Sequence, residues 1–363
     1  MNYTKPSYLL VMHDALGWRT YAKHVGAALR ASPDAQVESV QIAPSLTART
    51  RYKLSSLGAK FGAYADHVQI NRGAAAAAID RSFRARPFNL VHFADHAMAG
   101  PGPGLSTPYT VALDVTGALR RTDPRFNQVS TKCVARERDI FQNASLLFPM
   151  SEWVARSLTE DYGVDPARIV VASPSLPDVP AGEPLLAKDG ARKRIVFVGH
   201  DFDRKGGDLL LAAHQRHLKD DYELILIGQG APEAGGLTGV RRLGAVENAQ
   251  LRARLLPYCD VFVLPSRKDM SPFVLAEANA AGLPSVVTDV GAAPEMVDYA
   301  DGRNILTSYD SDLLAERIRW VADDAARQAE LGRRARALFE DRQTVEKTAS
   351  RMLELFAAAR RQA

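Results

Sequence analysis

The chain has little of what cross-links or anchors a protein. It holds two cysteines in 363 residues, Cys133 and Cys259, too few and too isolated for a disulfide framework or a zinc ribbon. No apolar run approaches the roughly 18–20 residues of a membrane helix; the first, Tyr8-Leu9-Leu10-Val11-Met12, has the length of a strand. A secretory leader needs a longer apolar core, so an unprocessed cytoplasmic chain in a reducing compartment is expected. Charge of one sign is scarce as well. The net value is +4, with 20 basic and 15 acidic residues up to position 180 and 26 and 27 beyond it. That excess is too mild and too scattered for a nucleic-acid partner, although it suits an acidic ligand or an anionic membrane surface. No GxSxG, HExxH or Ser-His-Asp arrangement supports hydrolase chemistry. Gly228-Gln229-Gly230 lacks the rest of a dinucleotide fingerprint.

What remains is ordinary globular composition, 46% hydrophobic and 24% charged, over a length suited to two domains. Short apolar runs alternate with helical patterns. Tyr8–Met12, Val37–Ile42, Asn89–Phe93, Tyr109–Leu113 and Ser145–Pro149 read as strands. Helices are predicted over Tyr21–Leu29, Gly73–Arg84, Asn127–Asn143 and Glu152–Tyr162, the last with Ser151 as its N-cap. Pro174, Pro177, Pro180 and Pro184 with Gly182 and Gly190 then read as a linker. The pattern restarts with strands at Arg194–Val198, Glu223–Ile227, Val240–Leu243, Val261–Leu264 and Ser285–Thr288. Helices are predicted at Leu209–His217, Leu251–Leu256 and Pro272–Ala281, and helix dominates from Ser311 onward. Alternation of this kind implies parallel sheets with right-handed crossovers. The expected fold class is α/β. The expected division is a domain over 1–175, a linker over 176–191, a second domain over 192–343, and a terminal helix over 344–363 that packs back on the first.

Two stretches carry chemistry. In Asp269-Met270-Ser271-Pro272-Phe273-Val274-Leu275-Ala276-Glu277, a helix starting near Pro272 leaves Asp269 in the preceding loop and Glu277 about one and a half turns inside. The free N–H groups around Ser271, Phe273 and Val274 then make an anion site beside two carboxylates, suited to a ligand with both phosphate and hydroxyl groups. A capped helix with a surface Glu is the plainer alternative. In Gly199-His200-Asp201-Phe202-Asp203-Arg204-Lys205-Gly206, a strand ends at Gly199 and a cation beside glycine opens a helix, an arrangement that fits a diphosphate. Asp201-Phe202-Asp203 reads as a solvated loop whose carboxylates are paired with Arg204 and Lys205, so no metal site is expected there.

These stretches, with Pro265-Ser266…Asp269…Glu277-Ala278…Ala281-Gly282-Leu283-Pro284…Thr288…Gly291…Glu295, resemble the retaining, nucleotide-sugar-dependent glycosyltransferases of family 4. Leu90-Val91-His92, Thr107-Pro108-Tyr109…Asp114 and Ser151-Glu152-Trp153-Val154 agree more loosely. The resemblance implies the GT-B fold, two Rossmann-like doubly wound domains facing an interdomain cleft, with a helical tail. It implies metal-independent hexosyl transfer from a nucleoside diphosphate sugar, UDP- or GDP-linked, to a carbohydrate, lipid-linked or small-molecule acceptor. No further cofactor is implied. By resemblance Asp269 contacts sugar hydroxyls, Glu277 accepts from the ribose, and Lys205 neutralises the diphosphate, with Gly17, Gly199, His200, Arg204, Ser271, Phe273 and Val274 around the same groups. Departures are present: His200 replaces an arginine, Asp269 is shorter than the usual glutamate, and Ala94 stands where a histidine is usual, with His96 its nearest substitute for touching the donor sugar. Arg19, His96 and Asp114 are the acceptor-side candidates. Alternatives are a nucleotide-sugar 2-epimerase and a non-catalytic accessory relative. Arg49, Arg51, Lys53 and Lys60, interleaved with Tyr52, Leu54, Leu57 and Phe61, read as a solvated acceptor-side loop or as a basic face for peripheral contact with an anionic membrane.

Overall fold

A computed structural model describes residues 5–14, 16–43, 67–99, 107–125, 129–187, 190, 192–230 and 236–360. The basic stretch from Arg49 to Phe61 lies outside them. The chain divides into two compact units: residues 1–175 with 345–363, and residues 176–344.

Among the described residues of the first unit, β1 (Ser7–His13), β2 (Gln36–Ile42), β3 (Leu90–Phe93), β4 (Tyr109–Leu113) and β5 (Leu146–Pro149) form a parallel sheet in the order β2-β1-β3-β4-β5. Tyr8 to Met12 are all buried, as expected for a strand covered on both faces. Strand β1 pairs with β2 on one side and β3 on the other, so Leu10 lies opposite both Ser39 and His92. The direction of winding reverses here. Ligands of doubly wound sheets bind at the carboxyl ends of the strands beside such a reversal. His13 and Asp14 close one of these strands, and Asp95 and His96 follow the other.

Helix starts follow local capping. Ser151 Oγ accepts the Val154 N–H at 3.2 Å, opening the helix Glu152–Glu160. The helix expected from Asn127 begins instead at Thr131, because Ser130 Oγ accepts the Cys133 N–H at 3.1 Å and so caps it there. The terminal helix Val345–Ala359 belongs to the first unit. Its Phe356 ring packs 5.4 Å from Tyr8, 5.3 Å from His92 and 6.0 Å from Phe148, while the Tyr21 hydroxyl donates to Met352 Sδ.

In the second unit β6 (Lys193–Val198), β7 (Tyr222–Ile227), β8 (Val240–Gly244), β9 (Val261–Leu264), β10 (Ser285–Thr288) and β11 (Ile305–Leu306) form a parallel sheet, order β11-β10-β9-β6-β7-β8. The reversal lies between β6 and β9, where Ile195 faces Val261. Helix Gly207–Ala213 passes into a π turn, His214–Leu218, shortening the regular helix expected to His217. Helices Ser311–Ala322 and Ala325–Arg342 are separated where Asp324 caps the second by accepting the Arg327 N–H at 2.9 Å.

The Pro-rich stretch expected as a linker is strapped to the second unit. Gly182 N–H donates to Ala253 O at 2.9 Å, and Leu185 N–H to Arg254 O at 2.6 Å. Arg254 Nε donates to Glu183 O at 3.0 Å, and the Arg252 guanidinium reaches Pro177 O. Leu176 is itself part of that unit's core. Prolines suppress helix and strand without preventing backbone groups from pairing with a neighbouring segment.

Candidate active site

In the second unit, glycines let the backbone approach closely beside the β6–β9 reversal. Gly206 has φ +75°, and a Cβ there would collide with the carbonyl of Pro265, the residue after β9. Gly228 (φ +114°) similarly lies against the Gly199 carbonyl, and at Gly199 a Cβ would crowd Lys205 Cγ at 3.1 Å. These close approaches draw the loop after β6 against the end of β9, and Lys205 comes with it. Its ammonium pairs with Asp269 Oδ2 at 2.5 Å, both side chains being only 14% and 13% exposed. Asp269 also accepts from Ser266 Oγ at 3.3 Å and from the Met270 N–H at 3.2 Å.

Past Asp269 the helix Phe273–Ala280 begins at Pro272, which has no side chain to cap it. The first-turn N–H groups of Phe273 and Val274 therefore meet no side-chain acceptor, and Ser271 Oγ is buried with no hydrogen-bond partner among the described residues. Such an uncapped helix start attracts anions. Glu277 lies five residues along the same helix and is 6% exposed. Its Oε1 accepts from Asn248 Nδ2 at 2.7 Å. Burial raises its pKa above the ordinary glutamate value, against the Asn248 hydrogen bond and the positive charges of Arg252 and Lys205. A carboxylate, an ammonium and unpaired N–H groups thus gather where doubly wound sheets bind ligands.

Other expected members are placed differently. Arg204 is committed to its own loop and to the loop after β9, with Nε on Asp201 Oδ2 at 2.9 Å and Nη1 on Lys268 O at 2.7 Å. His200 is exposed. Between Asp201 and Asp203, Phe202 is buried and stacks edge-on against Phe197 at 5.7 Å, which anchors this loop; Asp201 pairs with Arg204 as expected, whereas Lys205 pairs with Asp269 and with neither loop carboxylate. Among the described residues no group of three or more His, Cys, Asp or Glu side chains could hold a metal ion.

In the first unit a second polar group sits at the β1–β3 reversal. His13 Nδ1 is 2.7 Å from Asp95 Oδ2, and Asp95 Oδ1 accepts the Ala97 N–H at 2.8 Å. His96 lies between Asp95, 3.4 Å from Nδ1, and Glu137, 3.2 Å from Nε2. Glu137 is fully buried in the helix Thr131–Asn143 and also accepts from the Gly117 N–H at 2.8 Å and from the Tyr162 hydroxyl. Burial opposes protonation of His96, yet the Glu137 hydrogen bond and the charges of Glu137, Asp95 and Asp114 hold its pKa above the ordinary value. Burial likewise opposes ionisation of Asp95, but His13, His96 and the Ala97 N–H bring its carboxyl down to about 2. Asp114 moves the other way, pushed up to about 6 by burial and by the negative charge of Asp95.

At 3% exposure His96 has little surface to offer a ligand. His92 is a core residue, donating or accepting at Tyr21 Oη (3.0 Å) and Thr110 Oγ1 (2.9 Å), with its pKa lowered by burial to about 3. Gly17 lies exposed in the first turn of the helix Leu16–Ala31, and Arg19 is an exposed residue paired with Asp14 at 2.6 Å. The residues not anticipated are Asn248, Arg252, His13, Asp95 and Glu137. His13 and Asp95 carry a usable signal, since each follows or ends a strand beside the reversal point.

Both sheets and their connections define the class of protein: this is a GT-B fold. Over 99% of this chain and 100% of the other, it superposes on a sucrose-phosphate synthase from Thermosynechococcus elongatus with a TM-score of 0.74 at 17% identity. Residues 192–324, within the second unit, match the family model described as glycosyl transferases group 1. Among curated relatives, the phosphatidyl-myo-inositol mannosyltransferase of Mycobacterium leprae is 32% identical over 176 residues, 46% of each chain. The chain spans about half the length of the curated relatives it matches. The Anabaena protein HepE, solved in complex with UDP and glucose, superposes with a TM-score of 0.66 at 15% identity, covering 96% of this chain and 99% of that one. No helix among the described residues is long and apolar enough to cross a membrane.

Proposed function

We propose that this protein is a glycosyltransferase, moving a hexose from a UDP- or GDP-linked donor to a hydroxyl of a carbohydrate, lipid-linked or small-molecule acceptor. The observation that carries the reading is the convergence of Lys205, the uncapped start of Phe273–Ala280 and buried Glu277 at one sheet reversal. The group 1 family match over 192–324 and the UDP and glucose bound to HepE support a nucleotide-sugar donor. Glu277 would accept hydrogen bonds from the ribose diol, and the N–H groups of Phe273 and Val274 would face the diphosphate. As the bond from C1 to the departing phosphate oxygen breaks, negative charge grows on the diphosphate. Lys205 and the helix start would stabilise it, an electrostatic contribution requiring little reorganisation. With that charge supplied by the protein, the reading is metal-independent, and retention of anomeric configuration follows from the family resemblance.

Asp269 plays a double part in this account. Paired with Lys205 in the structure, it would turn to the sugar hydroxyls when the diphosphate draws the ammonium away. On the first unit, Asp114 is the group suited to an acceptor hydroxyl, its carboxyl being poised near neutral pH. His96 would act by holding charge beside it.

The reading is tested by incubating the protein with UDP- and GDP-glucose and mannose and a panel of polyol, glycan and lipid-linked acceptors, with EDTA present. Sugar transfer with release of the nucleoside diphosphate is expected, and the one-bond C1–H1 coupling of the product should report the same anomeric configuration as the donor. Release of a free epimerised sugar would replace this reading by an epimerase.

A further inference from the structure

We propose that Asn248 is a positioning residue for Glu277: its side-chain amide fixes Oε1, so that Oε2 is presented to the hydroxyls of the bound nucleotide. The inference deepens the nucleotide-site reading above and rests on it. Asn248 and Arg252 are four residues apart on the segment after β8, where Asn248–Gln250 runs into a π turn, Leu251–Leu255. That spacing puts both side chains on one face. They divide two tasks. The Arg252 guanidinium donates to Pro177 O and makes no ion pair with Glu277 within 4.0 Å, leaving it a source of positive potential. Asn248 alone among the described residues donates to the carboxylate, at 2.7 Å.

The choice of a neutral donor has a chemical consequence. An arginine at that distance would take both oxygens in a bidentate pair and saturate the acceptor. An amide holds one oxygen, restricts the rotamer, and leaves the charge on the other available. Oε2 makes no hydrogen bond among the described residues. The charged groups facing Glu277 are Arg252, from the segment after β8, and Lys205, from the loop after β6, the latter shared with Asp269. Because burial already favours the protonated acid, losing Asn248 removes one of the few influences that keep it ionised.

The test measures binding of UDP, GDP and ADP to the parent protein by calorimetry from about pH 5.5 to pH 8.5, then repeats it with Asn248→Ala, Asn248→Asp and Glu277→Gln. For the nucleotide the parent binds, Asn248→Ala should weaken affinity about tenfold near pH 6 and less at the alkaline end. The acid limb of the profile should move to higher pH. Asn248→Asp, which adds a like charge of the same size, should lose more. In the Glu277→Gln background, Asn248→Ala should shift no limb. A loss uniform across pH and equal in both backgrounds, or no loss at all, overturns the role of Asn248. If the parent binds none of the three nucleotides, the nucleotide-site reading falls and this inference with it.

Discussion

Glu277 concentrates the residue-scale argument, since a carboxylate 6% exposed must be matched by donors or by a ligand. Replacing it by Ala should cost about 1–3 kcal/mol in nucleotide affinity, the scale of hydrogen bonds to a charged acceptor, as read by titration calorimetry. Equal affinity in parent and variant would remove Glu277 from the site. Asp114 gives a prediction about stability. Its carboxyl is raised from 3.8 to about 6, so between those values the folded state keeps a proton that the unfolded state has lost. Stability therefore falls as pH rises through that window. Asp114→Asn should add about 1–3 kcal/mol at pH 7 and nothing below about pH 4, measured by urea unfolding at both. If Asp114 serves the acceptor, the same variant should lose turnover while gaining stability. A gain independent of pH would contradict the environment described for it.

At the scale of elements, the strands were the most legible part. Runs such as Tyr8–Met12 and Val261–Leu264 are apolar on both faces, which parallel strands between two helix layers require. Ser151 was legible as a cap because its hydroxyl acts two or three residues away. The segment 176–187 was not, since its binding to 252–258 depends on backbone groups that composition does not report. Glu137 was hidden for a related reason. Within Ala135-Arg136-Glu137-Arg138-Asp139 it reads as one charge on a solvated face, and only the tertiary fold turns it onto Gly117, Tyr162 and His96. Asp269 and Glu277 are legible as two carboxylates beside a helix start, with roles that come from the family resemblance, whereas Asn248 lies 29 residues from its partner with no local pattern to mark it. The loop carrying Lys205 depends on one glycine. Gly206→Ala, with φ +75° and a carbonyl where its Cβ must go, should lower thermal stability by several degrees and abolish nucleotide-induced stabilisation. A variant as stable and as responsive as the parent would show that the loop can re-form without this approach.

Across the whole molecule, the chain ends in the unit where it began, and Phe356 returns to Tyr8, His92 and Phe148 of the first sheet. Phe356→Ala should cost about 3–5 kcal/mol, as large-to-small core changes do. Because the loss belongs to the first unit, hydrogen exchange should quicken in Ser7–His13 while nucleotide still protects the second unit. Faster exchange confined to the second unit would contradict this division. The central claim, that the β6–β9 reversal binds a nucleoside diphosphate, is tested most directly by calorimetry and thermal shift of the purified chain with UDP, GDP and ADP, with and without magnesium. Binding of one of them, with a matching rise in stability that needs no magnesium and disappears in Glu277→Ala, is the predicted result. No binding of any, or binding untouched by Glu277→Ala, would contradict it.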